Sequence, residues 1–277
     1  MNNKIIKLSV LAFGLTMGLQ GAVAYADDCN KPEYQALLKI KAPDVLHRIN
    51  ELNLTQTQKD QFKTLKNNFD AESKKSMDSL KSIAKQTEQI ITTPTIDRAR
   101  LDSLLLDWKN NVIARYPQSV VFRHNLYNLL NDTQKAKYHE LQQQERQYFQ
   151  MSLQCPDIAK KLPLNIDPYD HINELNLTDE QKTKIMPLIQ SYRDQTTKLL
   201  RQFDDSDMSY NQVEKQIVQS ASPIDSEKLN DFATAQADSV EVEQKNSIMT
   251  AHEIYEILNA KQQAQFMKIW KNPLAKQ

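Results

Sequence analysis

One seven-residue stretch occurs twice in this chain without a change, and this repeat constrains the fold more than any other feature. Ile49–Thr55 and Ile172–Thr178 both read INELNLT, and they stand 123 positions apart. A second pair of similar segments, 128 positions apart, begins at His124 and at His252. Self-similarity at a long period indicates a duplicated structural unit, so two copies of one unit are expected.

The repeat also sets the expected domain limits. The pairs Ile96-Asp97 and Ile224-Asp225 are 128 positions apart, so the five extra residues of the second copy fall before them. We place these extra residues near positions 204–207. The predicted copies then cover residues 27–150 and 151–277.

The first 26 residues have the layout of a secretory signal peptide. Lys4 and Lys7 precede the uncharged run Leu8–Leu19, and Ala24-Tyr25-Ala26 is a small-x-small cleavage site. The run is too short to anchor the chain in a bilayer. Cleavage after Ala26 is therefore expected, which leaves 251 residues with a net charge of −2.

Glycine is confined to the predicted signal peptide, at Gly14, Gly18 and Gly21. Phosphate-binding loops and dinucleotide folds need glycine where the backbone approaches a ligand, so both are excluded. Positive-φ hairpin turns also favour glycine, which argues against an antiparallel β-fold. The near-neutral charge argues against a nucleic-acid partner. An all-α protein is predicted, inserted in no membrane and with no cofactor.

Each copy has the pattern of about four helices, two of them long. A short segment leads into Leu-Thr-x-x-Gln, which opens a long helix ending near Pro94 in copy one. A second long helix is predicted from about Asp97 to Leu129, and a last helix from Asn131. Pro117 and Pro187 lie inside predicted helices, which they are expected to kink or break.

The Thr-x-x-Gln element is a capping box, in which a threonine hydroxyl and a glutamine amide satisfy the first free amides of a helix. A weaker form, with Asn in place of Thr, precedes the last helix of each copy. Taken alone, four such boxes indicate only that four helices begin there. The full boxes are Leu54, Thr55, Gln58 and Leu177, Thr178, Gln181; the degenerate ones are Leu130, Asn131, Gln134 and Leu258, Asn259, Gln262.

A Leu-Thr-x-x-Gln box that opens a long helix and returns in weaker form before the closing helix resembles the LTxxQ family of periplasmic proteins. This family includes the ATP-independent chaperone Spy, the envelope-stress regulator CpxP and metal-linked relatives. The resemblance implies a periplasmic protein and, because Spy and CpxP are cradle-shaped homodimers, two Spy-like repeats arranged as a pseudo-dimer cradle within one monomeric chain. The covalent link would remove the concentration dependence of assembly.

The resemblance implies a chaperone that binds unfolded or partly folded client proteins without nucleotide. The alternatives are a CpxP-like regulator that binds a defined partner, such as the periplasmic domain of a sensor kinase, and a metal-responsive sensor. Client-binding positions cannot be transferred from the family. Apolar residues at helical spacing are more often core, but four of them are candidates for a client surface: Phe62, Met77, Met186 and Met208.

Cys29 and Cys155 are the only cysteines, and each lies just upstream of one copy. In an oxidising compartment, an even count at related positions favours a disulfide, which is the expectation here. Two free thiols are the alternative.

No histidine pair or cysteine–histidine cluster has the spacing of metal ligands. His124 and His252 occupy aligned positions, so they could meet across a pseudo-twofold axis and bind a metal; otherwise each is a partly buried helix residue. No nucleophile elbow or Ser-His arrangement stands out, so no enzymatic activity is expected.

Overall fold

The protein is described by a computed structural model over residues 44–154, 169, 171–204 and 209–271. Every regular element in these residues is a helix, which confirms the all-α prediction. The first half contains a 3₁₀ turn, Ile49–Leu52, and three α-helices: α1 Gln56–Ile91, α2 Arg98–Leu129 and α3 Asp132–Gln154. The second half contains a 3₁₀ turn, Ile172–Leu175; the α-helices α4 Asp179–Asp204, α5 Tyr210–Val213, α6 Ser226–Ile257 and α7 Ala260–Lys271; and a π-helical turn, Glu214–Val218, directly after α5.

Aspartate side chains cap the starts of α2 and α6, the two helices of 32 residues. The Asp97 carboxylate accepts from the amides of Ala99 and Arg100 at 3.0 and 3.3 Å. Asp225 does the same at the start of α6, with distances of 3.0 and 3.2 Å. A side chain that accepts these first amides satisfies donors that the helix itself leaves free.

Neither internal proline breaks its helix. Pro117 lies inside α2 and Pro187 inside α4, and both helices continue on either side. Of the two expected outcomes, a kink or a break, the break is therefore excluded, and the kink stays a prediction. Tyr116 and Val120, on either side of Pro117, are buried in a shared core. Burial of neighbouring side chains offsets the hydrogen bond that a proline removes.

α2 and α6 pack against each other and run antiparallel. Leu104 in the first part of α2 shares a core with Ile254 near the end of α6, and Val120 shares another with Phe232 near the start of α6. Between these two cores, the Lys109 ammonium lies 2.6 Å from the Asp238 carboxylate.

Two cores hold the fold together, and each takes residues from both halves of the chain. Core I contains the end of α1, the start of α2, the second 3₁₀ turn, α4, the end of α6, and α7; its members include Ile83, Ile91, Leu104, Ile185, Ile254 and Phe266. Core II contains the first 3₁₀ turn, the end of α2 and α3, with the π turn and the start of α6; its members include Leu52, Leu126, Tyr138, Leu141, Ile217 and Phe232. Complete burial of one such side chain contributes about 1.5–3 kcal/mol. The pseudo-dimer itself stays a prediction, and the domain limits do too.

Candidate functional site

The Leu-Thr-x-x-Gln box of the first half forms a complete capping box at the start of α1. The backbone N–H of Gln58 donates to the Thr55 hydroxyl oxygen at 3.2 Å, and the backbone N–H of Thr55 donates to Gln58 Oε1 at 2.9 Å. The degenerate box does the same at the start of α3, where Asn131 replaces threonine and Gln134 closes the box. Threonine and asparagine thus both act as the helix caps that the sequence predicts.

The two boxes are joined to each other through their glutamines. Gln58 Nε2 donates to Gln134 Oε1 at 2.8 Å, and Gln134 Nε2 donates back to Gln58 Oε1 at 3.0 Å. Gln58 Nε2 also lies 2.7 Å from the Leu129 carbonyl, and Gln134 Nε2 lies 3.2 Å from the Asn53 carbonyl. This Gln–Gln pair therefore connects the start of α1, the end of α2 and the start of α3.

The second half repeats this arrangement. Gln181 and Gln262 exchange hydrogen bonds of 2.8 and 2.9 Å. Their Nε2 groups also donate to the carbonyls of Ile257 and Leu175, at 3.1 and 3.2 Å. The caps Thr178 and Asn259 complete the two boxes. Four predicted boxes are thus two joined pairs, which sequence reasoning missed.

The leucines in front of the boxes anchor them in the cores. Leu54 and Leu130 are buried in core II, and Leu177 and Leu258 in core I. Ahead of each full box, Asn53 and Asn176 adopt left-handed backbone conformations with φ of 49° and 50°. Asparagine tolerates this conformation better than most residues, which explains its place in the repeated motif.

A buried polar network lies at the edge of core II. Glu214, in the π turn, accepts a hydrogen bond from the Tyr138 hydroxyl at 3.2 Å and another from Gln142 Nε2. Burial raises the pKa of Glu145 to about 8, and the nearby Asp44 carboxylate adds to this effect. Burial would also raise the pKa of Asp44, but hydrogen bonding to His47 and the charge of Arg123 hold it below its ordinary value.

Core I has apolar residues where core II has this network. When the two halves are aligned at an offset of 128 positions, Phe266 stands at the place of Tyr138, Trp270 at that of Gln142, and Ala251 at that of Arg123. Phe266 and Ala251 are buried there, and Trp270 packs against the same cluster. The two cores therefore occupy related places in the chain with opposite chemistry.

A second buried carboxyl lies between α4 and α6. The Tyr192 hydroxyl donates to Glu243 Oε1 at 2.9 Å, and Gln244 Nε2 donates to Glu243 Oε2 at 2.6 Å. Burial raises the pKa of Glu243 to about 7, although both hydrogen bonds favour the charged form. Near neutral pH this carboxyl is therefore present in both protonation states.

The aligned histidines are not brought to one site. His124 Nδ1 donates to the Ile217 carbonyl at 2.9 Å, beside core II. His252 Nδ1 lies 3.2 Å from the Ile91 carbonyl, beside core I. Within the described ranges, no group of three or more His, Cys, Asp or Glu side chains is arranged to hold a metal ion.

The remaining candidates divide by position. Met77 is buried in core I, which is the core alternative for this residue and removes it from the candidates for a client surface. Met186 is 42% exposed and Phe62 is half-buried. Met208 lies outside the described residues, as do Cys29 and Cys155, so the disulfide stays a prediction.

In the part of the chain that the structure describes, no helix combines the length and apolar character needed to span a bilayer.

The fold and its joined boxes define a class: an all-helical protein in which Gln–Gln amide pairs connect the starts of separate helices. Residues 169–269 match the family model described as LTXXQ motif family protein, which confirms the recognition of that family in this part of the chain. The match contains both boxes of the second half. No curated protein and no solved structure gave a match to the chain.

Proposed function

We propose that this protein is a periplasmic, ATP-independent chaperone that binds unfolded or partly folded client proteins and limits their aggregation. The match of residues 169–269 to the LTXXQ family model supports a helical protein related to the periplasmic proteins of that family. One surface feature carries the choice of chaperone over dedicated regulator: an open aromatic surface on the first half. Export by cleavage after Ala26 and a monomeric state with two related halves belong to the same proposal.

We call this surface the aromatic strip; it consists of Phe62, Leu65 and Phe69 of α1. The three α1 residues recur on one face of the helix and are half-buried. Phe62 and Phe69 both contact the buried Phe122, with ring centroids 6.2 and 4.9 Å away.

The second half fills the positions that the first half leaves open. When the two halves are aligned at an offset of 123 positions, Ile185 corresponds to Phe62 and Tyr192 to Phe69. Both are buried in core I, and the Tyr192 ring packs edge-on against Tyr169 at 5.1 Å. At these two aligned positions, the aromatic side chains are therefore partly exposed only in the first half.

Such a surface suits weak binding of varied apolar segments. Aromatic side chains provide large contact areas at a small cost in rotamer entropy. The exposed Lys63 and the half-buried Lys66 flank the strip on α1, and their long stems can cover apolar client groups while the ammonium stays in water. An unfolded chain presents the complementary apolar side chains, whereas a folded protein does not.

The test is aggregation of a chemically denatured client, followed by light scattering in the absence of nucleotide, with purified residues 27–277. We expect suppression at a near-equal molar ratio. Leu65→Ser should weaken suppression several-fold because it replaces an apolar side chain of the strip with a hydroxyl. Leu106→Ser is the matched control: Leu106 is also a leucine of a long helix, 54% exposed, but lies on α2 outside the strip.

Equal loss of suppression in both leucine variants would contradict the role of the strip. No suppression by the wild type with several unrelated clients would refute the general chaperone and favour a regulator of one defined partner. Size-exclusion chromatography with light scattering tests the monomer. N-terminal sequencing of the exported protein tests cleavage after Ala26.

A further inference from the structure

In the second half, the chain just before the 3₁₀ turn helps to cover a position that belongs to the aromatic strip in the first half. Tyr169 is 1% exposed, and its ring lies 5.1 Å from that of Tyr192 and 5.9 Å from that of Trp270. The Tyr169 hydroxyl donates to the Ser247 carbonyl at 3.0 Å, which fixes the ring in place. Because Tyr192 corresponds to Phe69 of the strip, the second half shows how this position is covered.

The first half has a smaller side chain at the place of this covering tyrosine. At the offset of 123 positions, Leu46 corresponds to Tyr169. Phe69 packs against Phe122, with ring centroids 4.9 Å apart, but it stays half-buried. Its counterpart Tyr192 is 5% exposed. The strip therefore has its aromatic contact toward α2 and lacks the aromatic cover that the second half receives from the chain before its 3₁₀ turn.

The chain that leads into the first 3₁₀ turn passes beside the strip. Leu46 of this chain and Phe62 of the strip both pack against core II. The pKa of His47 is raised mainly by its hydrogen bond to Asp44, and the charge of Lys66, which flanks the strip on α1, opposes this rise. Charges near a protein surface act on each other only over about 10 Å. The described chain therefore begins, at Asp44, close to the strip.

The residues that precede this point have the composition and the length to reach the strip. Residues 27–43 lie outside the described residues, and their sequence places four large apolar side chains within seven positions: Tyr34, Leu37, Leu38 and Ile40. Ten residues separate Tyr34 from Asp44, and a chain of that length reaches up to about 35 Å. The strip, from Phe62 to Phe69, extends over about 10 Å of helix. Every part of it is within reach.

We propose that residues 27–43 cover the aromatic strip while no client is bound, as Tyr169 covers the aligned position of the second half, and that a client displaces them. This inference rests on the proposed function, because it takes the strip as the client surface. The covalent link gives the segment an effective concentration of about a millimolar at the strip, so weak apolar contacts are sufficient to hold it there. The same weakness allows a client to replace it.

Photo-crosslinking from the strip tests the contact itself. The probe p-benzoylphenylalanine takes the place of Leu65 in residues 27–277, the protein is irradiated without client, and the crosslinked peptides are identified by mass spectrometry. We expect crosslinks within one chain to residues 27–43, and we expect a denatured client to remove them. The control is the same probe at Leu106, which is exposed on α2 outside the strip and should not crosslink to this segment.

The affinity for an apolar ligand tests the competition. If residues 27–43 cover the strip about nine-tenths of the time, they lower the apparent affinity about tenfold, because only the uncovered fraction binds. The combined change Leu37→Ser and Leu38→Ser should therefore raise the affinity for a fluorescein-labelled peptide rich in Phe and Leu by about 5–10-fold, measured by fluorescence anisotropy. Gln35→Ser, in the same segment, removes no apolar side chain and is the control that should leave the affinity unchanged.

The absence of crosslinks from position 65 to residues 27–43 would overturn the inference, and so would crosslinks that join only two different chains. An unchanged peptide affinity in the double leucine variant would also overturn it. The affinity measurement needs no probe in the strip, so it decides alone if the probe disturbs folding.

The failure of this inference and the failure of the proposed function give different results. Peptide binding with equal affinity in the wild type and the double leucine variant, without crosslinks to residues 27–43, keeps the client surface and removes its cover. Crosslinks to residues 27–43 without binding of peptide or client keep the cover and refute the chaperone function.

Discussion

Replacing Gln58 with alanine should destabilise the protein by about 3 kcal/mol, because its side chain takes part in four hydrogen bonds at the junction of α1, α2 and α3. A net hydrogen bond contributes about 0.5–1.5 kcal/mol. Gln134 keeps its bonds to Asn131 and Asn53 in this variant, so its buried amide is not left without partners. Four such bonds give about 2–6 kcal/mol, and the expected cost therefore lies in the lower half of this range.

The joined arrangement predicts strong coupling between the two glutamines. Two of the four bonds run directly between Gln58 and Gln134, so the cost of the double alanine variant should fall short of the sum of the single costs by about 1–2 kcal/mol. Urea unfolding of the four proteins at pH 6 measures this difference. Gln56→Ala is the control: Gln56 lies on the same helix, is exposed, and donates to the side chain of a neighbouring exposed residue, Asp60.

Additive single effects would show that the two boxes act as independent caps and would refute the reasoning. A Gln56→Ala cost above about 0.5 kcal/mol would show instead that glutamines on α1 matter for general helix stability. The pair Gln181 and Gln262 offers an independent repetition in the second half, where the same bonds predict the same coupling.

Glu243→Gln should flatten the pH dependence of stability: burial raises the pKa of Glu243 from 4.5 to about 7, so the wild type loses about 3 kcal/mol as the pH rises through this window, and equal urea slopes for both proteins would contradict this. Asn53→Gly should be nearly neutral and Asn53→Val should cost about 1–2 kcal/mol, because only the first tolerates a φ of 49°; equal Tm values would argue against strain at this position. Asp97→Ala and Asp225→Ala should each cost about 1 kcal/mol in calorimetry, since each carboxylate caps two amides, and a cost at only one site would show that the caps are not equivalent.

Helix starts and helix faces could be predicted from the sequence because they are local. Thr55 and Gln58 are three residues apart, so their reciprocal bonding follows from the motif alone. The predicted second helix, 97–129, differs from α2 by one residue. The Gln58–Gln134 pair spans 76 positions, and no local rule states which box meets which.

The composition of the two cores could not be predicted from the sequence, for a related reason. Apolar spacing shows which side of a helix is buried but not what covers it, so the sharing of each core between the halves was not predictable. Charged residues such as Arg123, Glu145 and Glu243 have the appearance of a solvated helix face in the sequence. Their burial depends on contacts with distant elements, and Pro117 is tolerated through such contacts too.

The shared cores have a consequence for how this chain reaches its folded state during synthesis. Core I needs Phe266 before it can close around Ile83, and core II needs Phe232 before it can close around Leu126. The helices of the first half can form early on the ribosome, but their apolar faces remain without partners until most of the second half has been made. For a helical protein this is a high contact order, which predicts slow folding and a long-lived intermediate that itself exposes apolar surface.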